Sequence, residues 1–180
     1  MKLLLFKAHE GDPLSLAIKE VTQSDYCHAA VLIDPESPWR AVFAAQCGLD
    51  RNSAAPMIAE LYYPQARARL LSNDELANID VFEVRGWQPE NEQCAMEYAA
   101  KVIRDEVKYD IPDLFRYLPI FRLVMGAASE DSANKHMFCS WFAFELCKAA
   151  GRPLLRTNGY EVAPNQIAWS NEVVQIPLWH

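Results

Sequence analysis

The sequence predicts an α+β fold in which an antiparallel sheet of about five or six strands packs against helices. Three observations carry that reading. Short apolar runs bounded by turn residues recur at Leu3–Ala8, His28–Ile33 and Ile79–Val84. One long amphipathic segment, Asn91–Val107, sets Cys94, Ala95, Tyr98, Ala99, Val102 and Ile103 at helical spacing with charges opposite. A second, more apolar helix opens at Cys139 and stops at Gly151, a residue suited to the left-handed position after a helix. The 180 residues are read as one domain, 1–180, long enough to bury a full core.

Taken in order, Leu3–Ala8 is the first strand. Gly11-Asp12-Pro13 is a turn with Asp12 as N-cap and Pro13 at the first helical position, where a missing N–H costs nothing, and Leu14–Val21 is a short helix. His28–Ile33 is a continuous apolar strand, interrupted by Asp34-Pro35-Glu36-Ser37-Pro38. Trp39–Ala45 is expected to return as its antiparallel hairpin partner. Met57–Tyr63 is a further strand, Asn73–Ala77 a helical turn or two, and Ile79–Val84 another strand. After the Asn91–Val107 helix comes a Tyr109-Asp110 corner. Ile111–Met125, with Pro112 and Pro119, is expected as two short helices or a kinked one. Gly126–Asn134 is small and polar, a flexible loop leading to the Cys139 helix, and Glu161–Ile176 supplies a loop and a last segment.

Composition excludes several function classes. A net charge of −7 without a Lys/Arg-rich stretch argues against nucleic acid as the main partner. No stretch approaches the ~18 uninterrupted apolar residues of a transmembrane segment, and the run Met1–Lys7 is too short for a signal sequence. Five cysteines are an odd number with no C-x-x-C pair, which points to reduced thiols in a cytoplasmic setting. No cofactor is implied. His136, Cys139 and His28 have no zinc-ligand spacing, so no metal is expected.

The chemistry-bearing pair is His28 and Cys139. Only a thiolate attacks a carbonyl, and a helix N-terminus offers unpaired N–H groups and partial positive charge that favour a thiolate and can hold an oxyanion. An imidazole on a neighbouring strand then takes and returns the proton. Tyr26, two residues before His28, is expected on the same strand face, where its phenol can donate to an oxyanion or line a pocket. A half-buried rim aromatic is the plainer alternative for it.

The order of elements resembles the circularly permuted papain-like enzymes of the YiiX type, related to the NlpC-type cell-wall peptidases and to lecithin:retinol acyltransferase. The matching features are Leu3–Phe6 with Gly11-Asp12 and the Leu14–Val21 helix, then Ser24-Asp25-Tyr26-Cys27-His28-Ala29-Ala30-Val31, similar to a Tyr-Ser-His-x-Gly-Ile strand. Lys108-Tyr109-Asp110 resembles a Tyr-Asp-Tyr corner, Phe138-Cys139-Ser140 opens the helix, and Val162-Ala163-Pro164-Asn165 is similar to a late Pro-x-Asp/Asn element. These span nearly the whole chain. The resemblance implies a permuted papain-like (NlpC-like) fold and a cysteine hydrolase that forms a thioester at Cys139, with His28 as base then acid. It also implies substrate or oxyanion contacts from Tyr26, Ser140 and Tyr109. A peptide or peptidoglycan-like amide is the first expectation for the substrate. Two alternatives stand beside it, an acyl-lipid transferase or thioesterase, and a binding or assembly module without turnover.

Two departures bear on this. The family carries a polar residue on the strand after the histidine strand, and the aligned position here is Ala44; Gln46, two residues on, is expected to share that face and orient the imidazole. Ala44 is the feature that favours the inert module. Glycine after the histidine is also replaced, by Ala29-Ala30.

Overall fold

The computed structural model describes residues 1–9, 11–110 and 136–177. The segments Ile111–Met125 and Gly126–Asn134, expected as helices and a loop, lie outside the described residues. Among the described residues are eight strands: β1 (Lys2–Lys7), β2 (Tyr26–Ile33), β3 (Met57–Tyr62), β4 (Gln65–Leu70), β5 (Ile79–Val84), β6 (Lys108–Tyr109), β7 (His136–Met137) and β8 (Val173–Ile176). The five α-helices are α1 (Pro13–Thr22), α2 (Arg40–Gln46), α3 (Pro89–Arg104), α4 (Cys139–Ala149) and α5 (Pro164–Ala168). The strands form one curled, mostly antiparallel sheet in the order β7-β6-β4-β3-β2-β1-β5-β8, larger than the five or six expected.

Alternation along the central strands separates two apolar layers. Leu3 and Leu5 of β1, Ala29, Val31 and Ile33 of β2, and Met57, Ala59 and Leu61 of β3 belong to the main core with α3 and α4. Leu4, Ala30, Leu32, Ile58, Ile79 and Val81 form a smaller layer on the opposite parity, capped by Leu71 and Leu76. Helix α4 is apolar almost all round, with Trp141, Phe142, Phe144 and Leu146 essentially inaccessible, which is the pattern of a central rather than a surface helix. At about 1.5–3 kcal/mol for each such side chain taken from water, α4 is a principal source of stability. It packs on β2 and β3 and against α3 and α5. Asn91 Nδ2 donates to the Ala150 carbonyl at 2.7 Å, tying the start of α3 to the end of α4.

One expectation fails here. Trp39–Ala45 is not the partner of β2: the segment Arg40–Gln46 is a helix, and β2 pairs with β1 and β3 instead. Arg40, Phe43 and Ala44 face inward at i, i+3 and i+4, while Ala41, Val42, Ala45 and Gln46 are exposed. The Arg40 guanidinium donates to the carbonyls of Ile33, Ser53 and Ala55 at 2.7–3.2 Å, so partners distant in sequence select the helical period.

Candidate active site

Strand β2 changes partners along its length. From Ile33 to Ala30 it pairs with β3, ending at Ala30 opposite Glu60. Beyond that point β3 continues to Tyr62 and β2 back to Tyr26, but the two are no longer paired. On its other edge β2 stays on β1, with an irregularity: Phe6 lies opposite His28 and Lys7 opposite Tyr26, leaving Cys27 as an extra residue.

The nucleophile candidate enters at this opening. Strand β7 runs parallel to β6, with Tyr109 opposite Met137, and leads through Phe138 to Cys139, the first helical residue of α4. The Ala29 N–H, left without a β3 partner, donates to Cys139 Sγ, and the His28 imidazole makes a further hydrogen bond to the thiol. Tyr109 Oη stands 4.0 Å from Sγ. Burial pushes the Cys139 thiol up, but His28, the Ala29 N–H and the Tyr109 hydroxyl outweigh it and leave the thiol below its ordinary value. Burial likewise pushes the His28 imidazolium down, and the thiolate with Glu60 reverses this, raising it to about 9. Both shifts run in the direction of a thiolate–imidazolium pair.

Glu60 is the third member. Its residue is wholly inaccessible, and Oε2 accepts from His28 Nε2 at 2.9 Å, which leaves Nδ1 for the thiol. A lone buried carboxylate costs several kcal/mol, so its partners decide whether the site is tenable. Here Oε1 accepts from Arg67 Nε at 2.8 Å and Arg69 Nε at 2.7 Å. Burial alone raises the Glu60 carboxyl; His28 and Arg69 hold it well below the usual carboxylate range. The imidazole is also fenced by rings, with Phe6 at 5.1 Å and Tyr62 edge-on at 5.4 Å between centroids.

A cavity of about 550 Å³ opens onto this group, with Phe6, Asp12, His28, Tyr62 and Arg67 in its wall. A narrower recess of about 20 Å³ continues from His28 and Tyr62 to Tyr109. The accessible space therefore ends on the two side chains that flank the thiol.

Of the residues singled out from sequence, Cys139, His28 and Tyr109 come together. Tyr26 does not join them. The extra residue Cys27 breaks the alternation that would have put Tyr26 on the face of His28, and its phenol instead donates to Asp80 Oδ2 at 2.6 Å, with its ring edge-on to Phe82. Ser140 is buried and its hydroxyl donates to the Val162 carbonyl at 2.6 Å, which fastens the loop before Asn165 to the first turn of α4 rather than presenting a donor to a substrate. Gln46 sits exposed at the end of α2, and Ala44 is buried on the inner face of that helix; the partners of the imidazole among the described residues are instead Cys139, Glu60, Phe6 and Tyr62. Glu60, Arg67 and Arg69 were not singled out. Their signal was present: Glu60 is the only charge in the strand Met57–Tyr62, and Arg67 and Arg69 are two apart on a strand, hence on one face.

Compared with known proteins, the chain matches no family model and no curated protein.

Proposed function

We propose that this chain is a cysteine hydrolase of permuted papain-like architecture acting on amide bonds of polar, peptide-like substrates. The observation that carries the reading is the convergence, at the gap between β2 and β3, of a thiol on a helix N-terminus with an imidazole held by a buried carboxylate. The histidine strand precedes the cysteine helix, as in the permuted enzymes the sequence resembles.

In this reading the Cys139 thiolate attacks the carbonyl carbon, and the charge that develops on oxygen is met by the Cys139 N–H and the Tyr109 hydroxyl. His28 gives its proton to the departing amine as the C–N bond breaks, leaving a thioester. It then takes a proton from water, whose oxygen attacks the thioester carbon; the C–S bond breaks as the carbonyl re-forms, the sulfur leaves as the thiolate, and the imidazolium keeps the proton as the acid departs. Glu60 Oε2 keeps the ring oriented through both steps. Lys7, Arg67, Arg69, Asp12, Asp74 and Glu75 on the cavity wall suit the ends of a polar amide, peptide or peptidoglycan-like, while Phe6 and Tyr62 give the same wall apolar surface for its side chains. The inert-module reading drew on an alanine at the orienting position, and Glu60 now fills that role. The odd set of unpaired thiols supports a reducing, cytoplasmic setting.

The test needs no known substrate. Limiting iodoacetamide at about pH 6 is expected to label Cys139 before the other thiols, read by peptide mass spectrometry of the native protein. Burial pushes Cys47 up to about 11 and Cys147 to about 12, which makes them inert controls. The same protein is then screened for amine release from a mixed peptide library, with Cys139→Ser as the blank. The reading falls if Cys139 reacts at pH 9 yet shows no preference at pH 6, or if amine release survives in Cys139→Ser.

A further inference from the structure

Resting on the thiol-hydrolase reading, we propose that Arg67 and Arg69 are positioning residues of the Cys139–His28–Glu60 relay. Together they grip Glu60 Oε1, leave Oε2 for His28, and limit how strongly the carboxylate holds the imidazolium.

Three N–H groups converge on that one oxygen. Arg67 approaches it through Nε and Nη2, both at 2.8 Å, and Arg69 through Nε at 2.7 Å. The other oxygen receives His28 Nε2 at 2.9 Å and only a long contact, 3.4 Å, from Arg69 Nη2. A carboxylate clamped on one oxygen cannot rotate, so Oε2 stays aimed at the imidazole. Core packing does not account for both guanidiniums: one cation neutralises one buried anion, and the Arg67 side chain is 44% exposed. Arg67 is nonetheless held in place, its guanidinium 4.6 Å from the centre of the Tyr62 ring, the ring that fences His28.

The two arginines are not equivalent. Arg69 donates through Nη1 and Nη2 to Glu75 at 2.8 and 2.6 Å, so its charge is already offset by a second acid. Arg67 has Glu60 as its sole carboxylate partner among the described residues. Removing Arg67 therefore takes a net positive charge from beside the relay, whereas removing Arg69 also frees Glu75. The remaining charged and titratable groups around the ring are Cys139 from α4, Tyr109 from β6, Tyr62 of β3, Cys27 of β2, Lys7 and His9 at and just beyond the end of β1, Asp12 before α1, and Asp74 and Glu75 from the turn after β4. None of these is changed by the substitutions proposed.

The experiment is the pH dependence of Cys139 alkylation by iodoacetamide in the full chain, read by peptide mass spectrometry. The wild type is expected to give two steps, the lower as the thiol ionises beside His28 and the upper as His28 deprotonates, near 9. Loss of a nearby cation stabilises the imidazolium, so Arg67→Met is expected to move the upper step to higher pH by roughly half a unit or more. Arg67→Lys, which keeps the charge, is expected to return most of that shift, and Glu60→Gln to move the step the other way. Arg67→Gln carries the same test should Arg67→Met not fold. Profiles for Arg67→Met or Arg67→Gln that overlay the wild type, or shift downward, overturn the inference while leaving the thiolate reading intact. A wild type with no lower step overturns that reading, and the clamp with it.

Discussion

The two halves of β2 share a sequence character and differ in what flanks them. Ala30–Leu32 is paired on both edges, to β1 and β3, Ile33 continues on the β3 edge, and these side chains are buried among apolar neighbours in the two layers of the core. Tyr26–Ala29 keeps only the β1 edge, carries the extra residue at Cys27, and there the thiol, the imidazole and Tyr109 meet. An apolar run thus serves as scaffold where the ladder is complete and as a site where the ladder opens. A freed backbone N–H is costly when buried, and in this chain the Ala29 N–H meets the sulfur instead.

The largest effect expected from breaking the open half is Cys139→Ala. Turnover of any amide substrate should fall by about a thousandfold or more, with the thermal transition shifted only slightly, because the change removes one atom, the proposed nucleophile, and little packing volume. Unchanged turnover, or a transition lowered as far as by a large core truncation, would return Cys139 to a packing role. Glu60→Gln comes next. It should slow turnover by roughly a hundredfold and weaken the pH 6 labelling of Cys139, since the imidazolium loses its anionic partner.

The same substitution has a pH signature in stability. Glu60 is held below its ordinary value of 4.5, so it contributes stability that is present above that value and lost as the pH falls below it. Urea midpoints of the wild type should therefore decline between about pH 5 and 3 more steeply than those of Glu60→Gln. Parallel declines in the two proteins would mean that Glu60 is not ionised in the fold.

The paired half sharpens the contrast from the other side. Ile33 is wholly buried at the end of the paired half, opposite Met57 of β3, so Ile33→Ala should cost about 2–5 kcal/mol in urea unfolding. Cys139 should still label first at pH 6 under conditions where the variant remains folded. Loss of that preference would couple the two halves more tightly than their separate partners suggest.

Much of this scaffold was legible, and the reasons for the rest are physical. The strands near Leu3, His28 and Ile79, the helix after Gln88 and the helix opening at Cys139 announce themselves through local period and turn residues. His28, Cys139 and Tyr109 were readable because each stands beside such an element. The misread residues depend on pairing. Tyr26 turns away because of an extra residue defined only relative to β1. Arg40–Gln46 has an apolar pattern that suits either period, and carbonyls at Ser53 and Ala55 decide it. Glu60 lies on a strand that was expected, but its role depends on β4, which supplies Arg67 and Arg69 and was not expected at all. Reading Trp39–Ala45 as the strand beside His28 puts the orienting position on that segment, whereas the strand paired with β2 is β3.

The exposed Gln46 gives the smallest predicted effect and the cleanest control. Gln46→Ala alters an exposed side chain on the last residue of α2, remote from the relay and with no hydrogen bond from its amide among the described residues. Alanine also favours the helix slightly. Stability should stay within about 0.5 kcal/mol of the wild type, and the pH profile of Cys139 labelling should overlay it. A slowed reaction or a shifted profile in Gln46→Ala, alongside little change in Glu60→Gln, would reassign the orienting role to Gln46 and require α2 to lie against His28. Overlay in the first variant with a shift in the second would locate the relay at the point where β2 and β3 part.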